Sequence, residues 1–213
     1  MKSKELRPPA IYLASQSPRR RDLLRSAGLN PIVIAPDVGD DPEQLEQAQP
    51  GEAPLAYVQR VAQVKLEQAL LRLHRLGPRQ RPEPADLIIA ADTVVALNGE
   101  SLGKPATPRA ARKMLACLSD TTHQVITAVS ISRFDGANAG NVTVKSEVTF
   151  APLSPAWIQA YVDSKEPMDK AGGYGIQGAA GSLIPRISGS FSAIMGLPLH
   201  ETLMLIQRLS QKR

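Results

Sequence analysis

One segment constrains this chain more than any other: the run DLIIAADTVVAL, in which residues 87–97 are almost continuously apolar. A run of this length predicts a strand that is buried on both faces. Asp92 lies in the middle of it. A carboxylate in such a strand is costly unless it is paired, binds a metal or opens into a cleft. Structural pairing is one interpretation, and a functional carboxylate in a cleft is the one we favour.

Strand-like and helix-like segments alternate along the chain, which predicts a mixed α/β architecture with helices covering a sheet. With 213 residues, 43% of them hydrophobic, the chain can bury a full core, and we expect residues 1–213 to form a single two-lobed domain. The acidic, proline-containing segment 36–54 is expected to be an exposed loop. Strands are expected at residues 10–14, 31–35, 87–97, 123–132 and 141–150, and helices at 18–28, 55–76, 107–119 and from 154 and 198.

The segment ASQSPRRRDLL predicts a turn from a strand into a helix, with Ser17 as the N-cap and Pro18 at the first helical position. Free amides at a helix N-terminus, together with the guanidinium groups of Arg19 and Arg20, favour an anion such as phosphate. A capped surface helix with solvated arginines is the more ordinary interpretation. The preceding strand favours a crevice at its carboxyl end.

The remaining candidates for chemistry are cations and carboxylates. No GxxxxGK[ST] or HExxH pattern occurs, so an ATPase and a zinc protease lose their main support, and the turn after the first strand has no GxGxxG, so a dinucleotide-binding protein loses its support as well. Arg19, Arg20, Lys65, Lys104 and Lys170 are suited to neutralising a polyphosphate. Asp92, with Asp40 or Asp41, is suited to holding Mg²⁺ or activating water. For Lys65, at the edge of a predicted apolar helix face, the spacing alone favours extension into solvent, and a lysine that reaches into a cleft for phosphate is the other interpretation.

The charge balance permits a polyanionic partner but does not favour nucleic acid. Lys and Arg number 25 against 20 Asp and Glu, a formal net charge of +5. None of the one Trp, four Tyr and three Phe residues lies in the basic cluster at 19–25, so a base-stacking surface is poorly supported. The longest stretch without charged residues, 171–185, is too short and glycine-rich to cross a bilayer. A single cysteine, Cys117, fits the reducing cytoplasm.

Three further residues are expected to be structural. His123 and His200 are interpreted as scaffold histidines. Cys117 follows Met114 in an apolar helix stripe and is expected to be a core thiol rather than a nucleophile.

Five motifs in one order resemble the Maf family of nucleoside triphosphate pyrophosphatases. They are LASQSPRRRDLL, AADTVV, GKP, DKAGGYGIQG and GLPL, and together they span residues 13–199. The resemblance implies an α/β fold related to inosine triphosphate pyrophosphatases, with two lobes around a deep cleft and in many cases a homodimer. It implies hydrolysis of a nucleotide between the α and β phosphates, to a monophosphate and pyrophosphate, with a divalent metal such as Mg²⁺ or Mn²⁺. Removal of non-standard nucleotides is the role it implies.

The resemblance also assigns roles to residues. Asp92 is implied as the catalytic carboxylate and, with Asp40, as a metal ligand. Asp40 stands where the family often has glutamate. Phosphate binding is implied for Ser15, Arg19, Arg20, Lys65 and Lys104. Specificity is implied for Arg19, Thr93 and Gln177, of which Thr93 and Gln177 resemble the subtype that acts on dTTP and UTP.

Three other functions remain open from the sequence. A 7-methyl-GTP or modified-nucleotide pyrophosphatase is the nearest one. A nucleotide-binding regulator of cell division without turnover is disfavoured, because a binding protein gains little from a buried carboxylate. A sugar-phosphate nucleotidyltransferase needs more glycine in its first turn than this chain has between residues 14 and 25.

Overall fold

The computed structural model of this protein describes residues 7–35 and 46–211. Its strands, numbered in chain order, are β1 (Ile11–Leu13), β2 (Ile32–Val33), β3 (Leu87–Leu97), β4 (Glu100–Leu102), β5 (Thr122–Arg133), β6 (Ala139–Thr149) and β7 (Arg186–Ser188). Its helices are α1 (Pro18–Ser26), α2 (Pro54–Arg75), α3 (Pro108–Leu118), α4 (Pro155–Asp163), α5 (Phe191–Ile194) and α6 (Leu199–Gln211). The predicted α/β class with a mixed sheet flanked by helices is confirmed.

Proline and a capping side chain set where several helices begin. Thr107 and Ser154 precede prolines at the first helical positions of α3 and α4, and their hydroxyls accept hydrogen bonds from Ala110 N and Trp157 N. Ser17 stands in the same position before α1, but its side chain makes no capping hydrogen bond. The first amides of α1 therefore have no capping partner on Ser17, which leaves them available to an anion.

The described strands form one mixed sheet in the order β2-β1-β3-β5-β6-β7, and β4 also pairs with β3. β5 occupies one edge of β3 along almost its whole length, so β1 and β4 share the other edge. β1 runs parallel to the start of β3, and β4 turns back antiparallel along its end through the Asn98-Gly99 turn. Residues 90–94 of β3 have no strand partner on that edge within the described chain. The sheet consequently has a gap beside Asp92.

Alternation along β3 distributes its side chains between two helical layers. On one face Val94 and Ala96 pack against Val58 and Ala62 of α2. On the other face Leu87, Ile89 and Ala91 pack against α1 and α6. Asp92 belongs to the α2 face and Thr93 to the opposite one, so the gap brings neighbouring residues from both layers into one space.

Several local expectations needed correction. The strand predicted at 31–35 is limited to Ile32–Val33. The sequence did not predict β4, β7 or α5. Cys117 is exposed, so the expectation of a core thiol was wrong. The buried stripe of α3 consists of Ala111, Leu115 and Leu118. No helix within residues 7–35 and 46–211 combines the length and apolar character that crossing a membrane requires.

Candidate active site

The gap in the sheet opens into a cleft of about 1120 Å³. Its lining comes from the turn after β1, the centre of β3, the α2 face, the loop after β4 and the glycine-rich segment after α4. The predicted site residues that line it are Ser15, Arg19, Arg20, Lys65, Asp92, Thr93, Lys104, Lys170 and Gln177. Asp40 and Asp41 lie outside the described residues. The structure therefore brings together every described candidate, although they are spread over 163 positions from Ser15 to Gln177 of the sequence.

Asp92 lies on the α2 side of the cleft and is only 6% exposed. Its Oδ1 accepts a hydrogen bond of 2.7 Å from Lys65 Nζ. Within the described chain no other donor bonds to this carboxylate, so its second oxygen remains available to a ligand. The alternative in which Lys65 extends into solvent is wrong, because its side chain is 16% exposed and points to Asp92.

Glu46 is a site residue that the sequence reasoning missed. Its Oε1 accepts from Lys65 Nζ at 2.7 Å, and its Oε2 accepts from Lys104 Nζ at 2.9 Å. Burial raises the pKa of Glu46, but the two ammonium groups outweigh burial and the net pKa lies below its ordinary value. The only signal in the sequence was an acidic segment before α2, and nothing there separated Glu46 from its acidic neighbours. We call Asp92, Glu46, Lys65 and Lys104 the acidic wall.

The opposite side of the cleft is organised around Arg20. Its Nε donates to the carbonyl oxygen of Gly196 at 2.8 Å, its Nη1 to Ser15 Oγ at 3.2 Å and its Nη2 to Thr93 Oγ1 at 3.2 Å. Burial lowers the pKa of Arg20, and the negative charge of Asp92 opposes that shift. Gly196 has a φ of +114°, a conformation that suits glycine, so its carbonyl can meet the guanidinium.

Thr93 connects Arg20 to a second buried hydroxyl. Thr93 Oγ1 lies 3.0 Å from Thr127 Oγ1 on β5, its partner in the β3–β5 register. Thr127 Oγ1 lies 2.8 Å from the carbonyl oxygen of Ala193, to which it donates. Thr127 is completely buried and was not singled out by the sequence. We call Ser15, Arg20, Thr93 and Thr127 the hydroxyl wall.

The glycine-rich segment after α4, residues 169–178, closes one side of the cleft. The hydroxyl of Tyr161 donates to Glu166 Oε1 at 2.9 Å and accepts from Gly175 N at 3.2 Å, which fixes the loop to α4. A Cβ at position 178 would overlap the Glu166 carboxylate, so glycine there lets this carboxylate keep its bond to Tyr161. Gln177, the residue before Gly178, is exposed, and its side-chain amide has no hydrogen-bond partner in the described chain.

His123 supports this loop from beneath. It is 2% exposed, its Nε2 lies 2.7 Å from the hydroxyl of Tyr174, and its ring stacks on Phe150. Burial lowers the pKa of His123 from 6.5 to about 4. The expectation of a scaffold histidine agrees with this placement, because the ring lies in the core.

A buried carboxylate, ammonium groups, a fixed guanidinium and the N-terminus of α1 around one cleft define an α/β enzyme that acts on phosphorylated substrates. The comparisons identify the family. Residues 10–209 match the family described as Maf-like protein, so this chain belongs to the Maf family.

Curated relatives are similar along nearly their whole length. The chain is 48% identical over 197 residues to a dTTP/UTP pyrophosphatase of Cupriavidus metallidurans, a match that covers 92% of this chain and 95% of the relative. A dTTP/UTP pyrophosphatase of Albidiferax ferrireducens is 47% identical with the same coverage. One of Ralstonia nicotianae is 46% identical over 198 residues, or 93% of each chain. The resemblance inferred from the motifs is therefore confirmed.

Proposed function

We propose that this chain hydrolyses dTTP and UTP between the α and β phosphates, which releases the nucleoside monophosphate and pyrophosphate. The activity in the names of its relatives supports the substrate class. The observation that carries the proposal is Asp92: a carboxylate in the middle of a buried strand, facing a cleft, with one oxygen on Lys65 and the other without a donor among residues 7–35 and 46–211. A scaffold carboxylate would have its second oxygen satisfied as well.

In this proposal Asp92 is the general base. Its open oxygen accepts a proton from the water that attacks the α phosphorus, while Lys65 holds the carboxylate in place through Oδ1. The departing pyrophosphate gains negative charge as the bond breaks. Cations positioned before the reaction stabilise that charge at little reorganisation cost.

Phosphate binding is assigned to Ser15, Arg19, Arg20, Lys65 and Lys104, together with the uncapped amides of α1. Arg20 is the most firmly held of these side chains, because three acceptors fix its guanidinium. Lys104 is exposed and bonds to Glu46, so an incoming phosphate would exchange with that carboxylate. Arg19 and Gln177 are assigned to nucleotide selection, whereas Thr93, for which the resemblance also implies specificity, is assigned to holding Arg20.

A divalent cation, Mg²⁺ or Mn²⁺, would take oxygen donors of the acidic wall by displacing an ammonium group of Lys65 or Lys104 from a carboxylate. Asp92 and Glu46 meet at one ammonium group, which places two carboxylates close together. No group of three His, Cys, Asp or Glu suited to a metal occurs among the described residues, so substrate phosphates would complete the ligand set. Asp40, outside the described residues, is the further ligand we propose. The cation would supply charge neutralisation on the phosphates.

Pyrophosphate release from dTTP, UTP, CTP, GTP and 7-methyl-GTP tests this proposal. We expect dTTP and UTP to be the best substrates, and Asp92→Asn to lower kcat at least about 10²-fold. Asp135→Asn makes the same chemical change at an exposed carboxylate that bonds to Arg133, and it should leave kcat unchanged. Preference for 7-methyl-GTP would overturn the substrate assignment, and full activity of Asp92→Asn would overturn the assignment of the base.

A further inference from the structure

The hydroxyl wall contains a ring of hydrogen bonds whose directions follow from counting hydrogens. Thr127 has one hydroxyl hydrogen, and the Ala193 carbonyl can only accept, so Thr127 donates to it. The hydrogen between the two threonines must then come from Thr93. Thr93 in turn accepts from Arg20 Nη2. The chain of donors therefore runs in one direction, from Arg20 through Thr93 and Thr127 to Ala193.

The ring closes through the turn at the end of α5. The carbonyl of Ala193 also accepts from Gly196 N at 2.9 Å, and the carbonyl of Gly196 accepts from Arg20 Nε. Thr127 is thus connected to Arg20 on two sides, once through the Thr93 hydroxyl and once through the backbone turn. Its own position is set by the sheet, because it lies opposite Thr93 in the β3–β5 register and is completely buried.

Among the described residues, this ring leaves two hydrogens of Arg20 without an acceptor. A guanidinium has five N–H groups, and three are used on Gly196, Ser15 and Thr93. One hydrogen on Nη1 and one on Nη2 remain for a ligand in the cleft. Two donors on one rigid plane match two phosphate oxygens, provided that the plane does not rotate.

We propose that Thr127 is a positioning residue for substrate binding. It never meets the substrate, but it holds the Thr93 hydroxyl as an acceptor toward Arg20 and holds the turn that carries the Gly196 carbonyl. Without the Thr127 hydroxyl, Thr93 has no acceptor for its hydrogen and can turn that hydrogen toward Arg20, where it repels the guanidinium. This inference rests on the proposed function, in which Arg20 binds substrate phosphate.

The experiment compares Thr127→Val with Thr127→Ser in the full chain. Valine keeps the shape and removes the hydroxyl, and we expect the KM for dTTP and the inhibition constant of pyrophosphate to rise about tenfold together. We expect kcat to change less than about threefold, because Asp92 and Lys65 lie on the other face of the sheet. Serine restores the hydroxyl and should bring both constants back to within about threefold of wild type.

Two further variants separate positioning from general loss of structure. Thr149→Val removes the exposed hydrogen bond between the hydroxyls of Thr122 and Thr149. It should leave the KM for dTTP and the inhibition constant of pyrophosphate unchanged. In the double variant Thr93→Val/Thr127→Val, kcat/KM should stay within about threefold of Thr93→Val alone, because both residues act through Arg20. Unchanged constants in Thr127→Val, or no recovery in Thr127→Ser, would overturn the proposal.

A binding measurement makes this test independent of turnover. Calorimetric titration of dTTP into Asp92→Asn and into Asp92→Asn/Thr127→Val should show about tenfold weaker binding in the double variant. If the wild-type chain releases no pyrophosphate from dTTP, the proposed reaction fails. Whether or not turnover is seen, the role of Thr127 fails if the two titrations give the same affinity.

Discussion

The two walls of the cleft start from neighbouring residues of β3 but differ in the groups that fix them. On the acidic wall, Asp92 is held by an ammonium group that it shares with Glu46, and Lys104 bonds to the same glutamate. On the hydroxyl wall, Arg20 is held by neutral oxygens of Ser15, Thr93 and Gly196. One wall is a set of exchangeable ion pairs, and the other is a fixed hydrogen-bonded ring.

That difference suits the two walls to different tasks. Ion pairs between side chains can be redistributed when a phosphate or a cation enters, so the acidic wall can change partners during a reaction. A guanidinium fixed by neutral acceptors keeps its donors for an anionic ligand, because no carboxylate of the described residues bonds to it. We therefore expect substitutions on the acidic wall to lower mainly kcat, and substitutions on the hydroxyl wall to raise mainly KM.

The largest effect is expected from Lys65→Met. It removes the cation that Asp92 and Glu46 share, which leaves the buried Asp92 carboxylate unpaired and Glu46 bonded to Lys104 alone. We expect kcat for dTTP to fall by about 10²- to 10³-fold, the range for loss of one preorganised charge. Lys113→Met, at an exposed position of α3, is the matched control and should retain full activity. A change confined to KM would contradict the division of labour between the walls.

The stability of the fold is expected to depend on pH through His123, which lies beneath the loop that closes the cleft. His123 has a pKa of about 4 in the folded chain and about 6.5 unfolded, so only the unfolded chain takes up its proton between those values. The free energy of unfolding should therefore fall by about 3 kcal/mol as pH drops from 6.5 to 4. The pKa of Glu46 is lowered in the folded chain, so its contribution to the free energy of unfolding is lost only as pH falls below 4.5, the ordinary pKa of a glutamate.

Denaturant titrations across this pH range check the assignment. In His123→Gln the fall between pH 6.5 and 4 should largely disappear, while the loss at lower pH remains. His200→Gln, at an exposed position of α6, should follow the wild-type profile. The same fall in His123→Gln as in wild type would show that another group controls acid sensitivity.

Much of the candidate site could be predicted from the sequence, for reasons that particular residues make clear. Asp92 stands out because a carboxylate in an apolar strand conflicts with its surroundings, and Arg19 and Arg20 stand out because they follow a strand-to-helix turn. Thr93 and Gln177 came from the resemblance to the Maf family. These signals are local or belong to a motif, so one sequence is sufficient to find them.

The parts that escaped prediction depend on long-range geometry. The gap beside Asp92 exists because β1 and β4 pair with the same edge of β3. Thr127 belongs to the site only because it lies opposite Thr93, a register that no local pattern specifies. Cys117 was misplaced for a simpler reason: the buried face of α3 passes through Leu115 and Leu118, and position 117 lies off that face.

A smaller effect is expected from Glu46→Gln, which should lower kcat/KM about tenfold. The change keeps the size of the side chain and removes the charge that Lys65 and Lys104 share. The Mg²⁺ concentration for half-maximal activity should rise as well, because one carboxylate ligand is lost. Asp40→Asn is the informative comparison, since Asp40 is the ligand proposed from the family resemblance. If Asp40→Asn has the larger effect on both quantities, Glu46 serves mainly to neutralise the lysines.

The smallest expected effect concerns nucleotide preference, and it separates the role of the hydroxyl wall from that of Gln177. The Thr93 hydroxyl is committed to Arg20 and Thr127, whereas the Gln177 amide has no partner in the described chain. A free amide can read the edge of a base, and one hydrogen bond to it contributes about 0.5–1.5 kcal/mol, or roughly two- to tenfold in preference. We therefore expect Gln177→Ala to reduce the ratio of kcat/KM for dTTP over GTP by that factor. Thr93→Val should raise KM for both nucleotides alike, because it acts through a phosphate-binding arginine that cannot distinguish bases. Equal shifts in the ratio for both variants would place the base against Thr93 as well and would remove the separation between phosphate binding and base selection.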